Sequence, residues 1–283
     1  MNGQNYLSKY AKSFNWAGFF LPKQVYTECS NLYDFCRYLD NIADDKGDLE
    51  TKLKNFTEFK QDFKKKNGNN QIIKNIWELI NKFKISPKII DDLFDGVETD
   101  IKSKVELETE KDLFIYSYRV AGTVGLMMAK ILNVREKSAL LGAIDLGIAM
   151  QLTNISRDVL EDEKNDRFYI KKNFDEIKKT LKIAEKFYEN SFVSIKKIPL
   201  FLRFSILVAR RIYRQIGYEI LKKKDFENYK KSGKIYVNNL GKIIHTLLSI
   251  SDLIKLFFEK DDKNLTINEH EIITQVIQYN ERF

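Results

Sequence analysis

The sequence predicts an all-α, single-domain helical bundle, and three observations carry that prediction. Only three prolines and 12 glycines interrupt 283 residues. Apolar residues recur at i, i+3 and i+4 over long stretches, the period of a helix with one buried face. The breaks between those stretches are short and polar, as between neighbouring helices of a bundle. Hydrophobic residues make up 43% of the chain, with 20 Phe and 14 Tyr. That is enough for a sizeable core and an apolar cavity, and it excludes a disordered chain.

In chain order, Leu21-Pro22 closes the first helical stretch and the Asp45-Lys46-Gly47-Asp48 turn closes the second. The polar run Lys66-Asn67-Gly68-Asn69-Asn70 ends the third, and Ser86-Pro87 reads as an N-cap with proline at the first helical position. Ser138 to Asp162 runs about seven turns without proline, and Ile198-Pro199 marks the next stop. Ile243 to Phe258 carries His245, Asp252 and Lys255, so it reads as an amphipathic helix. No window reaches the roughly 20 apolar residues of a membrane span. Strands have little support. One domain over 1–283 is expected.

The formal charge of +8 is Lys interleaved with acids, most of it a solvated surface. Its sign suits diphosphates, an anionic membrane surface or nucleic acid. Nucleic acid is the weakest of these, because zinc-finger spacing and RNA-binding signatures are lacking and the Lys runs at Lys64–Lys66 and Lys222–Lys224 are short. Cys29 and Cys36 lie seven apart on one helix, roughly 10 Å along its axis, too far for a disulfide. With Met1 to Tyr6 lacking the pattern of a signal peptide, the expected location is cytoplasmic, with a peripheral place on the inner face of the membrane. His245 and His270 show no metal-ligand spacing, and Gly122-Thr123-Val124-Gly125 lacks the Lys-Ser/Thr ending of a phosphate loop.

Chemistry is suggested by two Asp-x-x-x-Asp pairs. Asp40 and Asp44 share a helix face with Arg37 one turn earlier; Asn154, Asp158 and Asp162 repeat the layout with Arg157 adjacent. Hard divalent cations take carboxylate and substrate-phosphate oxygens, and an arginine fork holds phosphate in two places. Spacing alone is weak, since Asp91/Asp95, Asp44/Asp48 and Asp162/Asp166 offer the same interval. Context favours the first two pairs, each of which follows a long apolar stretch and has an arginine within a turn.

These residues resemble the squalene/phytoene synthase family of head-to-head prenyl diphosphate synthases, from about Ser13 to Lys242. The motifs are Ser13-Phe14 with Leu21-Pro22, Tyr33-x-Phe35-Cys36-Arg37-x-x-Asp40-x-x-x-Asp44 and Asp95-Gly96-x-Glu98-x-Asp100. They continue with Tyr116-x-Tyr118-x-Val120-Ala121-Gly122-Thr123-Val124-Gly125 and Gln151-Leu152-Thr153-Asn154-Ile155-x-Arg157-Asp158-x-x-x-Asp162. Tyr213-Arg214-x-Ile216-Gly217 looks most like bacterial phytoene synthases. Two departures stand out: Asn41 replaces a common aspartate, and Asp166-Arg167-Phe168-Tyr169-Ile170-Lys171 stands where Gly-Arg-x-Tyr-Leu-Pro is typical.

The resemblance implies a bundle of the isoprenoid (terpenoid) synthase type with a central apolar cavity, and residues 243–283 as a helical extension. It implies Mg²⁺, or Mn²⁺, on Asp40, Asp44, Asn154, Asp158 and Asp162, with no nicotinamide cofactor. Those aspartates, Tyr116 and Tyr213 are the expected catalytic residues. Expected substrate contacts are Ser13, Phe14, Tyr33, Phe35, Arg37, Val120, Ala121, Gly122, Gln151, Leu152, Asn154, Arg157, Arg167 and Tyr169. The implied reaction joins two prenyl diphosphates through a cyclopropyl diphosphate, as two geranylgeranyl diphosphates give phytoene. Squalene or dehydrosqualene formation from farnesyl diphosphate is the alternative on the same scaffold. A non-catalytic assembly or membrane-surface module is the alternative of another class. Downstream carotenoid enzymes are the expected protein partners.

Overall fold

The computed structural model describes residues 12–260 and 268–283; Met1 to Tyr6, read above as lacking a signal peptide, lies outside them. Helices α1 (Lys12–Gly18) and α2 (Lys23–Ala43) are separated by Pro22, the N-cap of α2. The Asp48 side chain accepts from Thr51 N to start α3 (Leu49–Lys64), and Asn70 caps α4 (Gln71–Phe83) by accepting from Ile72 N and Ile73 N. Helix α5 (Pro87–Asp100) has proline in its first turn as expected. Ser86 makes no side-chain cap bond, however; its hydroxyl donates to the Glu281 carbonyl at 3.2 Å.

A capping box of Thr109 and Asp112 opens α6 (Glu110–Ser117). A π-helical turn, Tyr118–Gly122, follows and runs into α7 (Thr123–Ile131). Helices α8 (Lys137–Glu163), α9 (Phe174–Ser194), α10 (Leu200–Leu221), α11 (Phe226–Lys231), α12 (Asn239–Phe258) and α13 (Asn268–Thr274) complete the bundle. One departure from the all-helical expectation is a parallel pair of two-residue strands, β1 (Val105–Glu106) and β2 (Arg167–Phe168), with Val105 opposite Arg167.

Helix α8 is the axis. It packs against α6, the π-helical turn, α7, α9 and α10, which is why its apolar residues run almost all round rather than along one stripe. By length and hydropathy α8 could cross a membrane, yet 67% of that window is buried within the protein. Its crossing with α7 is backbone on backbone. A Cβ on Gly125 would overlap the Ala143 carbonyl oxygen, and one on Gly147 would overlap that of Ala121. The C-terminal residues dock on the same core: Arg282 clamps Asp92 with two bonds of 2.9 Å, and Lys130 donates to the Phe283 carbonyl at 3.0 Å. His270 Nε2 lies 2.5 Å from Oδ1 of the fully buried Asp145, whose other oxygen accepts from Asn190 at 2.5 Å.

Candidate active site

Two helix ends bring acids to one cavity. Helix α2 supplies Asp40 and, at its C-cap, Asp44; the last turns of α8 supply Asn154, Asp158 and Asp162. All five line a cavity of about 1270 Å³. A carboxylate at a helix C-terminus meets the negative end of the macrodipole, an arrangement that costs roughly 0.3–1 kcal/mol. Two such ends at one mouth concentrate negative potential there and favour a cation.

The protein supplies part of that countercharge. Arg37 Nη1 is 3.8 Å from both Asp40 and Asp44. Arg157 grips both oxygens of its neighbour Asp158, the Nε bond measuring 2.8 Å. Lys234, in the loop before α12, lies 3.6 Å from Asp158 and 2.7 Å from Glu161. Arg167 is a strut: its Nη1 donates to Asp44 at 2.8 Å, and its Nη2 donates to the Ala43 and Asp100 carbonyls, each at 3.2 Å. The β1–β2 pairing holds Arg167 there. Asp166, where the family has glycine, takes the left-handed conformation with φ 54°. Aspartate tolerates that region, so the loop keeps its turn without the glycine.

Countercharge remains incomplete. About half of the Asp40 side chain is open to the cavity, at 53%. Its carboxyl nevertheless sits inside the protein envelope, and that burial pushes it up to about 7, against the opposing pull of Arg37. Asp162, with no cation bonded to it among the described residues, is pushed up to about 8 by burial and then by Asp158. Asn154 Oδ1 is buried without a hydrogen-bond partner among the described residues. Carboxyls short of countercharge beside a buried, unpartnered amide oxygen form a donor set that fits a hard divalent cation. Among the described residues no three His, Cys, Asp or Glu side chains converge as a ready-made metal cluster. The acids come as pairs from two helices, which suits an ion whose shell is completed by water and substrate phosphate.

Behind this mouth the cavity is mostly apolar, lined by Phe14, Val120, Val124, Met128, Leu146 and Met150 among others. Tyr213 and Tyr33 also line it, and the Tyr213 ring packs on Phe14 at 4.9 Å. Burial raises both phenols, and Tyr213 feels the charges of Arg157 and Asp158. Ser13, Arg37, Ala121, Gln151, Arg157 and Arg167 stand on the same surface.

Four expected contacts, Phe35, Leu152, Gly122 and Tyr169, and the expected catalytic Tyr116 are placed off the cavity surface. Phe35 is fully buried among Phe59, Phe63 and Phe94, with ring centroids 5.8–6.2 Å apart; Cys36 faces the cavity in its stead. Leu152 is fully buried in the core, one residue out of phase with Gln151. Gly122 packs against α8, where a Cβ would crowd the Tyr118 ring and Ile144. Tyr116 and Tyr169 stack at 4.8 Å behind the wall, and both hydroxyls donate to Asp100, at 2.8 and 2.6 Å. They reach the mouth through Asp100 and Arg167, not by facing the cavity.

Asp100 is the residue the sequence reasoning left without a role. Burial raises its carboxyl and Arg167 opposes that rise. Its signal was present in Asp95-Gly96-x-Glu98-x-Asp100, whose last residue closes α5. Lys234 was also missed, and its short Ser232-Gly233-Lys234 turn offered no motif.

A helical bundle around an apolar cavity, with acids in the last turns of two helices at its mouth, is a protein of the isoprenoid-synthase type. Residues 7–173, more than half of the chain, match the family described as Squalene/phytoene synthase. The chain belongs to that family. A 15-cis-phytoene synthase of Paracoccus sp. is 36% identical over 149 residues, 46% of this chain and 49% of that one. A 15-cis-phytoene synthase of Pantoea ananas is 26% identical over 243 residues, 74% of this chain and 78% of that one. The chain thus spans about half the length of the first relative and over three quarters of the second. Among solved structures, a dehydrosqualene synthase in complex with ligand is similar at a TM-score of 0.73 and 27% identity, over 88% of this chain and 94% of that chain.

Proposed function

We propose that the chain joins two prenyl diphosphates head to head through a cyclopropyl diphosphate, converting two geranylgeranyl diphosphates to phytoene for carotenoid biosynthesis. The observation that carries this reading is the meeting of both Asp-x-x-x-Asp pairs at the mouth of one apolar cavity. The phytoene synthase names of the relatives support the choice of product.

Mg²⁺, or Mn²⁺, held by oxygens of Asp40, Asp44, Asn154, Asp158 and Asp162 would supply Lewis-acid neutralisation of the leaving diphosphate. Arg37, Arg157 and Arg167 orient the diphosphate oxygens and stabilise their growing charge as the carbon–oxygen bond breaks. The electron pair leaves with diphosphate, and the allylic cation remains in the cavity. Apolar walls exclude the water that would quench it. The second substrate's double bond attacks the cation, and ring closure expels a proton. The second diphosphate then leaves; rearrangement and loss of another proton give the linear hydrocarbon. No reductant is consumed, so no nicotinamide cofactor is called for.

The likeness to a dehydrosqualene synthase favours a second reading, with two C15 chains in place of two C20 chains. Purified protein with Mg²⁺ and either C15 or C20 diphosphate, with and without NADPH, decides between them. A C40 hydrocarbon formed without NADPH is the expected product. A C30 product overturns the phytoene assignment, and no hydrocarbon from either substrate overturns the reaction.

A further inference from the structure

Between α6 and α7 the helix widens. From Tyr118 to Gly122 it makes a π turn, in which the Thr123 N–H donates to the Tyr118 carbonyl five residues back. Such turns are rare and gather at functional sites. The inner side of this one is cavity wall: Val120 and Ala121 line the chamber, followed on α7 by Val124 and Met128.

The outer side is held by residues far along the chain. Tyr118, which opens the turn, is fully buried, and its hydroxyl donates to Asp92 on α5 at 2.9 Å. Asp92 is buried too, and it accepts from Nε and Nη2 of Arg282, each at 2.9 Å. One carboxyl thus carries the phenol and the guanidinium together. The 3₁₀ turn before Arg282, Tyr279–Glu281, completes the clasp. Its Tyr279 ring packs on Tyr118 at 5.4 Å, and Glu281 accepts from Lys88 of α5 at 2.8 Å. The Phe283 carbonyl takes Lys130, near the end of α7, at 3.0 Å. Residues 279–283 therefore grip α5, the π turn and α7 from outside while the cavity lies within. Helix α5 also meets the turn directly, since a Cβ on Gly96 would stand 2.8 Å from both Arg119 Cβ and Val120 Cγ1. A shift of α5 is thereby passed to a residue of the wall.

We propose that Arg282 is a positioning residue of the cavity wall: by fixing Asp92 it holds Tyr118, and with it the π turn, where Val120 and Ala121 close the chamber. Relaxing the turn to α geometry shifts the register by one residue, about 100° of rotation. With α7 pinned at Gly125 against Ala143, that rotation falls on the turn itself and opens the wall. The catalytic consequence rests on the reaction put forward above. Water entering there captures the allylic cation, giving prenyl alcohol and a proton in place of hydrocarbon.

Two mild variants of the full chain test this. Tyr118→Phe removes one hydroxyl and leaves Asp92 both bonds from Arg282; Arg282→Lys keeps the charge and loses the fork. Without substrate, hydrogen–deuterium exchange should quicken about tenfold in residues 118–125 and stay unchanged in residues 36–44 and 150–162. With Mg²⁺ and whichever prenyl diphosphate the parent protein turns over, each variant should raise the ratio of prenyl alcohol to hydrocarbon about tenfold. The double variant should exceed the larger single effect by less than about twofold, because both changes break one chain of contacts. A lower melting temperature with exchange at the turn and product ratio both unchanged would make Arg282 a plain structural anchor and overturn the proposal. So would exchange that quickens equally in every helix, or a quickened turn with an unchanged product ratio. A parent protein that turns over no prenyl diphosphate overturns the reaction instead, and the exchange pattern then decides by itself whether Arg282 holds the wall.

Discussion

Replacing Arg167 with lysine isolates the strut that ties the first acidic wall to the end of α5. The guanidinium makes three bonds at once, to the Asp44 carboxylate at 2.8 Å and to the Ala43 and Asp100 carbonyls at 3.2 Å. An ammonium keeps the charge and the attraction to Asp44 but is a point donor without the planar fork. The two carbonyl bonds are lost, each contributing about 0.5–1.5 kcal/mol, so about 2 kcal/mol of positioning disappears. At 1.36 kcal/mol per factor of ten, Arg167→Lys should lower kcat/KM roughly 30-fold on a prenyl diphosphate at saturating Mg²⁺. A melting curve of each protein checks that the fold survives. Activity within about threefold of the parent protein would refute the strut, because the charge alone would then suffice.

Three further outcomes are expected. Asp158→Asn leaves Arg157 without its carboxylate and removes an acid from the mouth; kcat should fall by ~100-fold or more in steady-state assays, and a fall under tenfold would count against the acid pairs. His270→Ala strands an oxygen of the fully buried Asp145 and should cost about 3 kcal/mol, read from the denaturant midpoint at unchanged m-value; a loss under about 1 kcal/mol would contradict the pairing. Asp40 and Asp162 sit at about 7 and about 8 in the folded protein, above the roughly 3.9 of an unfolded aspartate. The folded state therefore holds the extra protons, and metal-free stability should fall as pH rises from about 4 to 8. Mg²⁺ should then raise the Tm more at pH 8 than at pH 6, and equal increments would argue against these carboxyls as its ligands.

The helices were legible because their punctuation is local: Pro22, Asp48, Asn70 and Pro87 each start a helix through their own backbone or side-chain chemistry. The acid pairs were legible because i, i+4 spacing sets a common face before any tertiary contact forms. What failed was rotation about the helix axis. Phe35 and Cys36 are adjacent, as are Gln151 and Leu152, and which of each pair meets the cavity depends on where α3, α5 and α9 lie. Tyr116 and Tyr169 are 53 residues apart, and only the folded chain shows that they share Asp100. The amphipathic reading of Ile243 to Phe258 identified the helix; Arg211 holds Asp252 and Trp16 holds Thr246 on its inner side beside buried Leu256, while Ile243, Leu247 and Ile254 face outward.

The glycine crossing of α7 and α8 fixes the spacing of two helices that wall the cavity. At Gly125 and Gly147 peptide groups touch directly, leaving no layer of side chains whose trimming or growth could adjust the gap. Any change in the shape of the chamber must therefore come from side chains that project into it, such as Phe14, Val120, Val124, Met128, Leu146 and Met150. Substitutions at the crossing itself would move whole helices and carry Asn154, Asp158 and Asp162 with them.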